Sequence, residues 1–288
     1  MRVIVSRVLL VLALFLGIAL VGIWYIGAWN RVFPDTSHEI EPPELAEELG
    51  KPAVLVFSKT NGFRHRDGIA GGLTALREIA QSRGWALYAT ENGAVFNQAQ
   101  LAKFAAVVFL NTTGDTLNTQ QEEAFIGWLE SGGGWLGIHA AGDGSHSEWS
   151  WYVDNLIGAS FTAHILGPQF QFARVKNERP GSPVLAGLPA EWQHEEEWYS
   201  WEHSPRDKGF TILLTVDESS YQPLQKVFGR ERDLRMGDHP VAWTHCVGEG
   251  KTLYSAMGHR AAAFSQPEHR RLLSNALTWL IDSRLPCR

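Results

Sequence analysis

GGGWLGIHAAGD, residues 132–143, is the stretch on which the reading of the fold turns. Three glycines open it, the apolar run WLGI follows, and the run ends on His139 before the small residues of AAG. A glycine turn, a short apolar strand and a tight turn into helix are what a buried strand of a parallel sheet looks like in sequence. A sharp strand-to-helix turn also lifts one side chain over the sheet edge, as a nucleophile elbow does. Here that side chain is an imidazole. It serves as acid, base or metal ligand, but it cannot do the work of a thiol.

The same pattern repeats upstream. AVLVFS (53–58), WALYAT (85–90) and AAVVFLN (105–111) are short apolar runs. Between them, 66–83 has helical spacing and stops at Gly84, 98–104 reads as a short helix, and a helix over 119–130 takes Thr119 as its N-cap. Strands alternating with helices predict an α/β fold with a doubly wound, mostly parallel, flavodoxin-like sheet. Downstream the pattern loosens. Residues 147–157 suit a short helix, and 170–175, 211–216, 240–247 and 251–258 read as strands. GEG (248–250) turns the last two into a hairpin, and 267–282 forms a closing amphipathic helix. Residues 51–284 are read as one domain with long inserted loops.

The N-terminus is of another kind. Arg2 and Arg7 precede an uncharged run from Val8 to Trp29, with Trp24, Tyr25 and Trp29 at its far end. As a helix rising about 1.5 Å per residue it spans a bilayer, and the aromatic residues suit the membrane interface. Residues 1–31 are therefore read as an uncleaved signal anchor and 32–50 as a Pro- and Glu-rich linker. The soluble domain is expected outside the cytoplasmic membrane, in the periplasm or extracellular space. The chain of 288 residues carries a net charge of −6. Its first 31 residues hold three arginines and no acid, so the remainder stands at −9. An acidic domain without a basic block is not expected to bind nucleic acid. Two cysteines are too few for a disulfide scaffold or a cysteine-built zinc site. Cys246, inside an apolar strand, reads as a buried inert thiol, and Cys287 lies beyond the closing helix. Twelve Trp and 11 His are the unusual counts.

Open α/β sheets bind ligands beyond the carboxyl ends of their strands. Arg64 and His65 follow the first strand, Asp115 the third, His139 and Asp143 the fourth, and His259 the last. HEEEWYSWEH (194–203) sets four Glu beside Trp198, Tyr199 and Trp201, either a solvated acidic loop or a carboxylate beside aromatic faces. The second arrangement suits a sugar, whose C–H faces stack on rings while its hydroxyls bond to carboxylates. Asp238 and His239 precede a strand, and His164 sits in FTAHILG. Trp149 and Trp151 form either a packed lid or rings over a groove.

Taken in order, these pieces resemble the trehalose-utilisation, or ThuA-like, family. The matching segments are KTNGFRH (59–65), GGGWLGIHAAGD (132–143), WYVDNLIGASFTAH (151–164), EEWYSW (196–201), VDESSY (216–221), GDHPVAWTH (237–245) and GKTLYSAMGHR (250–260). The resemblance covers nearly all of 51–282. It implies a class I glutamine amidotransferase-like fold, in which the elbow position holds a Cys where this chain has His139. It also implies a setting in sugar and glycoside utilisation. Family motif residues fall at Arg64, His65, His139, Asp143, His164, Glu197, Trp198, Tyr199, Asp238, His239 and His259. The family commonly carries an Asp-Glu pair; this chain has Glu196 at the Asp position, which keeps the charge and lengthens the arm.

The leading expectation is an anchored enzyme acting on a sugar or keto-sugar, with His139 and His259 as acid/base pair and Glu197 as orienter or second base. Arg64, His65, Asp143, His164, Trp198, Tyr199, Asp238 and His239 would hold the substrate. Two other readings stay open. One is a divalent-metal-dependent hydrolase ligated by His65, His139, His164, His239, His259 and Glu197, although no HExxH is present. The other is a non-catalytic sugar-binding or scaffolding domain. The expected partners are a small sugar or glycoside and, through the first helix, the membrane; a homo-oligomer is left open.

Overall fold

A computed structural model describes residues 2–227 and 229–287. Met1, the first residue of the expected anchor, lies outside the described residues, as do Phe228 and Arg288. The four expected strands form as β1 (Ala53–Phe57), β2 (Ala86–Thr90), β3 (Ala106–Leu110) and β4 (Gly134–Ile138). β1, β3 and β4 are buried along their whole length, as continuous apolar runs require. All four pair in parallel in the order β2-β1-β3-β4. Three of the intervening helices are Arg66–Arg83, Gln98–Leu101 and Thr119–Glu130. The first ends where Gly84 takes φ 70°, a left-handed C-cap that favours glycine. The third is capped by Asn118 and not by Thr119. The Asn118 side chain accepts from the Gln121 amide, and the Gln121 side chain returns to the Asn118 amide, a closed capping box.

The second half adds β5 (Phe161–His164), β6 (Gln171–Asn177), β7 (Glu191–Glu196), β8 (Tyr199–Trp201), β9 (Thr211–Val216), β10 (Leu224–Val227), β11 (Arg230–Asp233), β12 (Pro240–Val247) and β13 (Gly250–Ser255). β13 joins β4 in parallel, and β12 returns beside it as the expected hairpin. Beyond β12, strands β9, β6 and β7 extend the sheet antiparallel to nine strands. The sheet is thus mixed, its parallel half five strands wide. β5 pairs with β8 as a separate ribbon over the carboxyl edge of the sheet, and β10 with β11 as another. Ala261–Ser265 is a short helix, and the closing helix Pro267–Ile281 packs Leu272, Leu273, Ala276, Leu277 and Leu280 inward.

Cys246 is not an inert thiol. It forms a disulfide with Cys287, with Cα atoms 5.9 Å apart. The closing helix carries the tail back over β12, a proximity that separation in sequence hides. The first helix runs from Arg2 to Tyr25 and stops there, short of the apolar run's end at Trp29. Its stretch Ile4–Tyr25 has a mean hydropathy of 2.7 and contains no buried residue. Length and composition suffice to cross a bilayer. After the Gly27 turn, a helical turn over Trp29–Val32 leads into an extended segment held to the domain. Glu39 pairs with Lys59 at 2.8 Å and accepts the Gly93 amide, and Gln121 bonds to the Glu39 carbonyl.

Candidate active site

Three strands of the parallel half end at one place. β4 ends at Ile138, and His139 follows at φ 50°, a conformation strained for a residue with a Cβ. The strain is held by the neighbours. The Tyr254 hydroxyl donates to the His139 carbonyl at 2.6 Å, and His139 Nδ1 lies 2.7 Å from the Ala256 carbonyl. A nitrogen facing a carbonyl oxygen must carry the proton. In the neutral ring Nε2 is therefore the lone-pair nitrogen, and it faces the Tyr199 hydroxyl at 2.9 Å. β13 leads through Gly258 to His259, and the loop after β1 brings His65 to the start of the helix Arg66–Arg83. Gly258 has φ 128°, and a Cβ there would come within 2.8 Å of Ile138 Cγ2. Only glycine lets β13 deliver His259 next to His139.

The carboxylate arrives from the antiparallel half. Glu197 sits in the corner between β7 and β8 and is 1 % exposed. Its Oε2 is 3.0 Å from His259 Nδ1 and 3.6 Å from His139 Nε2, and its Oε1 is 3.0 Å from His164 Nδ1. Gln169 donates to the same Oε1. His259 Nδ1 is also 3.0 Å from His139 Nε2. The ring of His65 stands edge-on to both His139 and His259, with centroids 5.0 and 4.7 Å away. Glu196, one residue earlier, accepts the amides of Glu197 at 2.9 Å and Gly258 at 2.7 Å. It ties the carboxylate corner to the His259 loop.

Burial and charge pull against each other here. Burial opposes ionisation of Glu197, but three imidazoles bonded to it hold its carboxyl far below the usual range. Burial disfavours a charged His139; the bond to Glu197 and the nearby carboxylates outweigh it and hold the ring above its ordinary value. His65 is driven well below, first by burial and then by its two imidazole neighbours. Burial pushes the Asp143 carboxyl up to about 6, against hydrogen bonding from Ser145. Burial, with Glu197 adding to it, keeps the Tyr199 phenol protonated, so its hydroxyl remains a donor.

Above the cluster lies a cavity of about 430 Å³. His65, Asp143, His164, Glu197, Tyr199 and His259 line it, together with Gln169 and the rings of Phe63 and Phe161. His139, fully buried, lies behind Glu197 and His259 and does not reach the cavity surface. A neighbouring depression of about 550 Å³ shares Arg31, Gly62 and Ser145 with it.

The other expected residues lie elsewhere. Arg64 pairs with Glu91 at 2.6 Å. Trp198 is buried, donating to the Gln171 carbonyl at 3.0 Å. Asp238 pairs with Arg206 at 3.0 Å, and Asp115 lies 3.2 Å from His38. His239 sits beneath β8, bonded to Glu218 and to the Tyr199 carbonyl, where it supports Tyr199 without facing the cavity. Trp149 and Trp151 stack on each other and pack against Phe125. Trp201 packs among Trp243 and Tyr254. The aromatic faces of the cavity are thus Phe63, Phe161 and Tyr199. Phe63 belongs to the KTNGFRH motif, and Gln169 and Arg31 carried no signal in the sequence.

A doubly wound half-sheet with a strained turn and a buried polar cluster at its carboxyl edge defines an α/β protein with a built site. The chain belongs to the ThuA family, described as trehalose utilisation, whose model matches residues 53–280. A ThuA-like protein from Bacteroides uniformis ATCC 8492 is 26% identical with a TM-score of 0.68, covering 83% of this chain and 95% of that one. A ThuA-like protein from Parabacteroides merdae ATCC 43184 is 16% identical with a TM-score of 0.61, covering 80% and 89%. A cytoplasmic protein from Salmonella typhimurium LT2 is 12% identical with a TM-score of 0.53, covering 79% and 99%. These last two share the fold. Comparison with curated proteins finds no match.

Proposed function

We propose that the protein is an enzyme of sugar or glycoside utilisation that carries out acid–base chemistry on a sugar or keto-sugar in the cavity over Glu197. The observation that carries this reading is the convergence of His139, His164 and His259 on one buried carboxylate, within 3.0–3.6 Å. Imidazoles bonded to a carboxylate suit proton transfer near neutral pH. Phe63, Phe161 and Tyr199 offer faces for a sugar ring, while Asp143 and Gln169 offer partners for hydroxyls. His259 and His164 border the cavity and are the proton carriers. His139 acts through them, its ring fixed by Ala256. The neighbouring depression gives room for the remainder of a glycoside.

Membrane attachment by the first helix, with the domain outside the cytoplasm, belongs to the same proposal. Its support is the apolar span and the disulfide, a bond that persists in oxidising compartments. Protease treatment of intact spheroplasts would digest the domain under this reading and spare it if the domain faced the cytoplasm. For the chemistry, the full chain in detergent is incubated with glycosides and their keto derivatives and followed by NMR. Turnover by the wild type and its loss in Glu197→Gln, with the fold intact by circular dichroism, is expected. Unchanged turnover in that variant would remove Glu197 from the chemistry.

A further inference from the structure

We propose that His65, His139, Glu197 and His259 bind one divalent transition-metal ion at the floor of the cavity. One ligand atom from each lies within 4.8 Å of every other. His139 Nε2, His259 Nδ1 and Glu197 Oε2 are separated by 3.0, 3.0 and 3.6 Å. Zinc bonds to nitrogen and oxygen run about 2.0–2.2 Å, so a tetrahedral ion spaces its ligand atoms roughly 3.3–3.5 Å apart. The observed triangle straddles that spacing.

The hydrogen-bond inventory points the same way. Nδ1 of His139 is committed to the Ala256 carbonyl, so Nε2 is the lone-pair nitrogen; it faces the Tyr199 hydroxyl at 2.9 Å, a contact that a bound cation would replace. Holding the second ring nitrogen on a backbone carbonyl is the usual outer-shell arrangement of a metal-bound histidine. His259 Nδ1 has a single proton at most, yet it faces both His139 Nε2 and Glu197 Oε2 at 3.0 Å. One proton cannot serve both contacts well, whereas one cation serves all three atoms. His65 is 7 % exposed, and its Nδ1 has no hydrogen-bond partner among the described residues. The His65 ring stands beside this triangle, and a buried imidazole nitrogen without a partner calls for a ligand. Three imidazoles and one carboxylate are a donor set for zinc or a neighbouring first-row ion rather than for magnesium or calcium. When bound, such an ion would polarise a sugar carbonyl or an attacking water. His259 would then be held as a ligand, and the proton-carrying role in the proposed chemistry would pass to His164 alone, with Asp143 and Tyr199 as the other polar groups facing substrate.

The role of the ion rests on the proposed chemistry, but its binding is measured separately. The full, tag-free chain in detergent is stripped with chelator, titrated with Zn²⁺ by calorimetry, and assayed for metal content before and after. One ion per chain is expected, with a rise in melting temperature on loading. Glu197→Gln and His65→Ala should lose stoichiometric binding, and the exposed control His203→Ala should keep it. Gln169→Ala, which removes the hydrogen bond orienting the ligating carboxylate through its other oxygen, Oε1, should weaken binding about 10–100-fold while the fold is retained. Absence of stoichiometric binding by the stripped wild type overturns the site. Full sugar turnover by metal-free protein would overturn the ion's role in the chemistry and leave the acid–base reading standing. Stoichiometric binding without sugar turnover would uphold the site and sink the proposed chemistry.

Discussion

Glu196 makes the sharpest test of how the site is held. Its carboxylate is 1 % exposed and accepts two buried amides, from Glu197 at 2.9 Å and from Gly258 at 2.7 Å. Glu196→Gln preserves the shape but replaces one acceptor oxygen with an NH₂ group. One amide then keeps a neutral acceptor, and the other meets a donor. A hydrogen bond to a charged group contributes about 1.5–3 kcal/mol, and a buried amide left unpaired costs about 1–3 kcal/mol. Part of this is relieved by relaxation of the corner, so a net loss of about 3 kcal/mol is expected. For a domain of this size each kcal/mol lowers Tm by roughly 2–4 °C, giving a drop of about 6–12 °C. Thermal and urea melts of the two proteins measure it. Because the two amides belong to the Glu197 corner and the His259 loop, turnover should fall further than the fraction unfolded accounts for. A Tm within about 2 °C of wild type, with normal turnover, would refute the reasoning.

Three further outcomes are expected from other parts of the molecule. The Cys246–Cys287 bond closes a loop of sequence separation 41, so replacing both cysteines by serine should cost about 4 kcal/mol on the chain-entropy model, read from urea midpoints with and without reductant. Burial pushes His146 down to about 4 and His269 down to about 3, so the unfolded chain binds more protons than the native one between those values and the ordinary 6.5. Stability then rises with pH across that window, and moving from pH 7 to pH 5 should cost about 2 kcal/mol for each ring; urea midpoints that do not fall on acidification would contradict this. A Cβ on Gly68 would come within 2.5 Å of the His259 carbonyl, so Gly68→Ala should displace that loop, lower stability by about 1–3 kcal/mol and reduce turnover.

Local physics determined the parallel half. β1, β3 and β4 are apolar throughout because both faces are buried, and glycine punctuates them where the chain must turn, so a window of a dozen residues contains the whole signal. His139 was legible for the same reason: the strand, the small residues after it and the sharp turn are contiguous. The four-strand antiparallel extension was only partly legible. β7 alternates exposed and inward positions, but the inward ones are Trp192, His194 and Glu196, a polar pattern that resembles a loop until its partners are known. Burying Glu196 and Glu197 is tolerable only because amides and imidazoles from β13, β4 and β5 meet them there. Those partners are about 30 to 60 residues away in sequence.

Tertiary structure likewise decided which members of a rich set of histidines and tryptophans matter. His65, His139, His164 and His259 converge, whereas His239 supports a strand from below. Trp198 and Trp201 pack inside, and the cavity takes its aromatic faces from phenylalanine and tyrosine. The cysteine pair was closed by the return of the C-terminal helix, a long-range contact that spacing does not encode. Sequence alone determined the family, the sheet edge and the apolar span, because each is written in residues that are neighbours along the chain. The site belongs to the fold, because its carboxylate and its imidazoles meet only when a parallel and an antiparallel half-sheet close on the same edge.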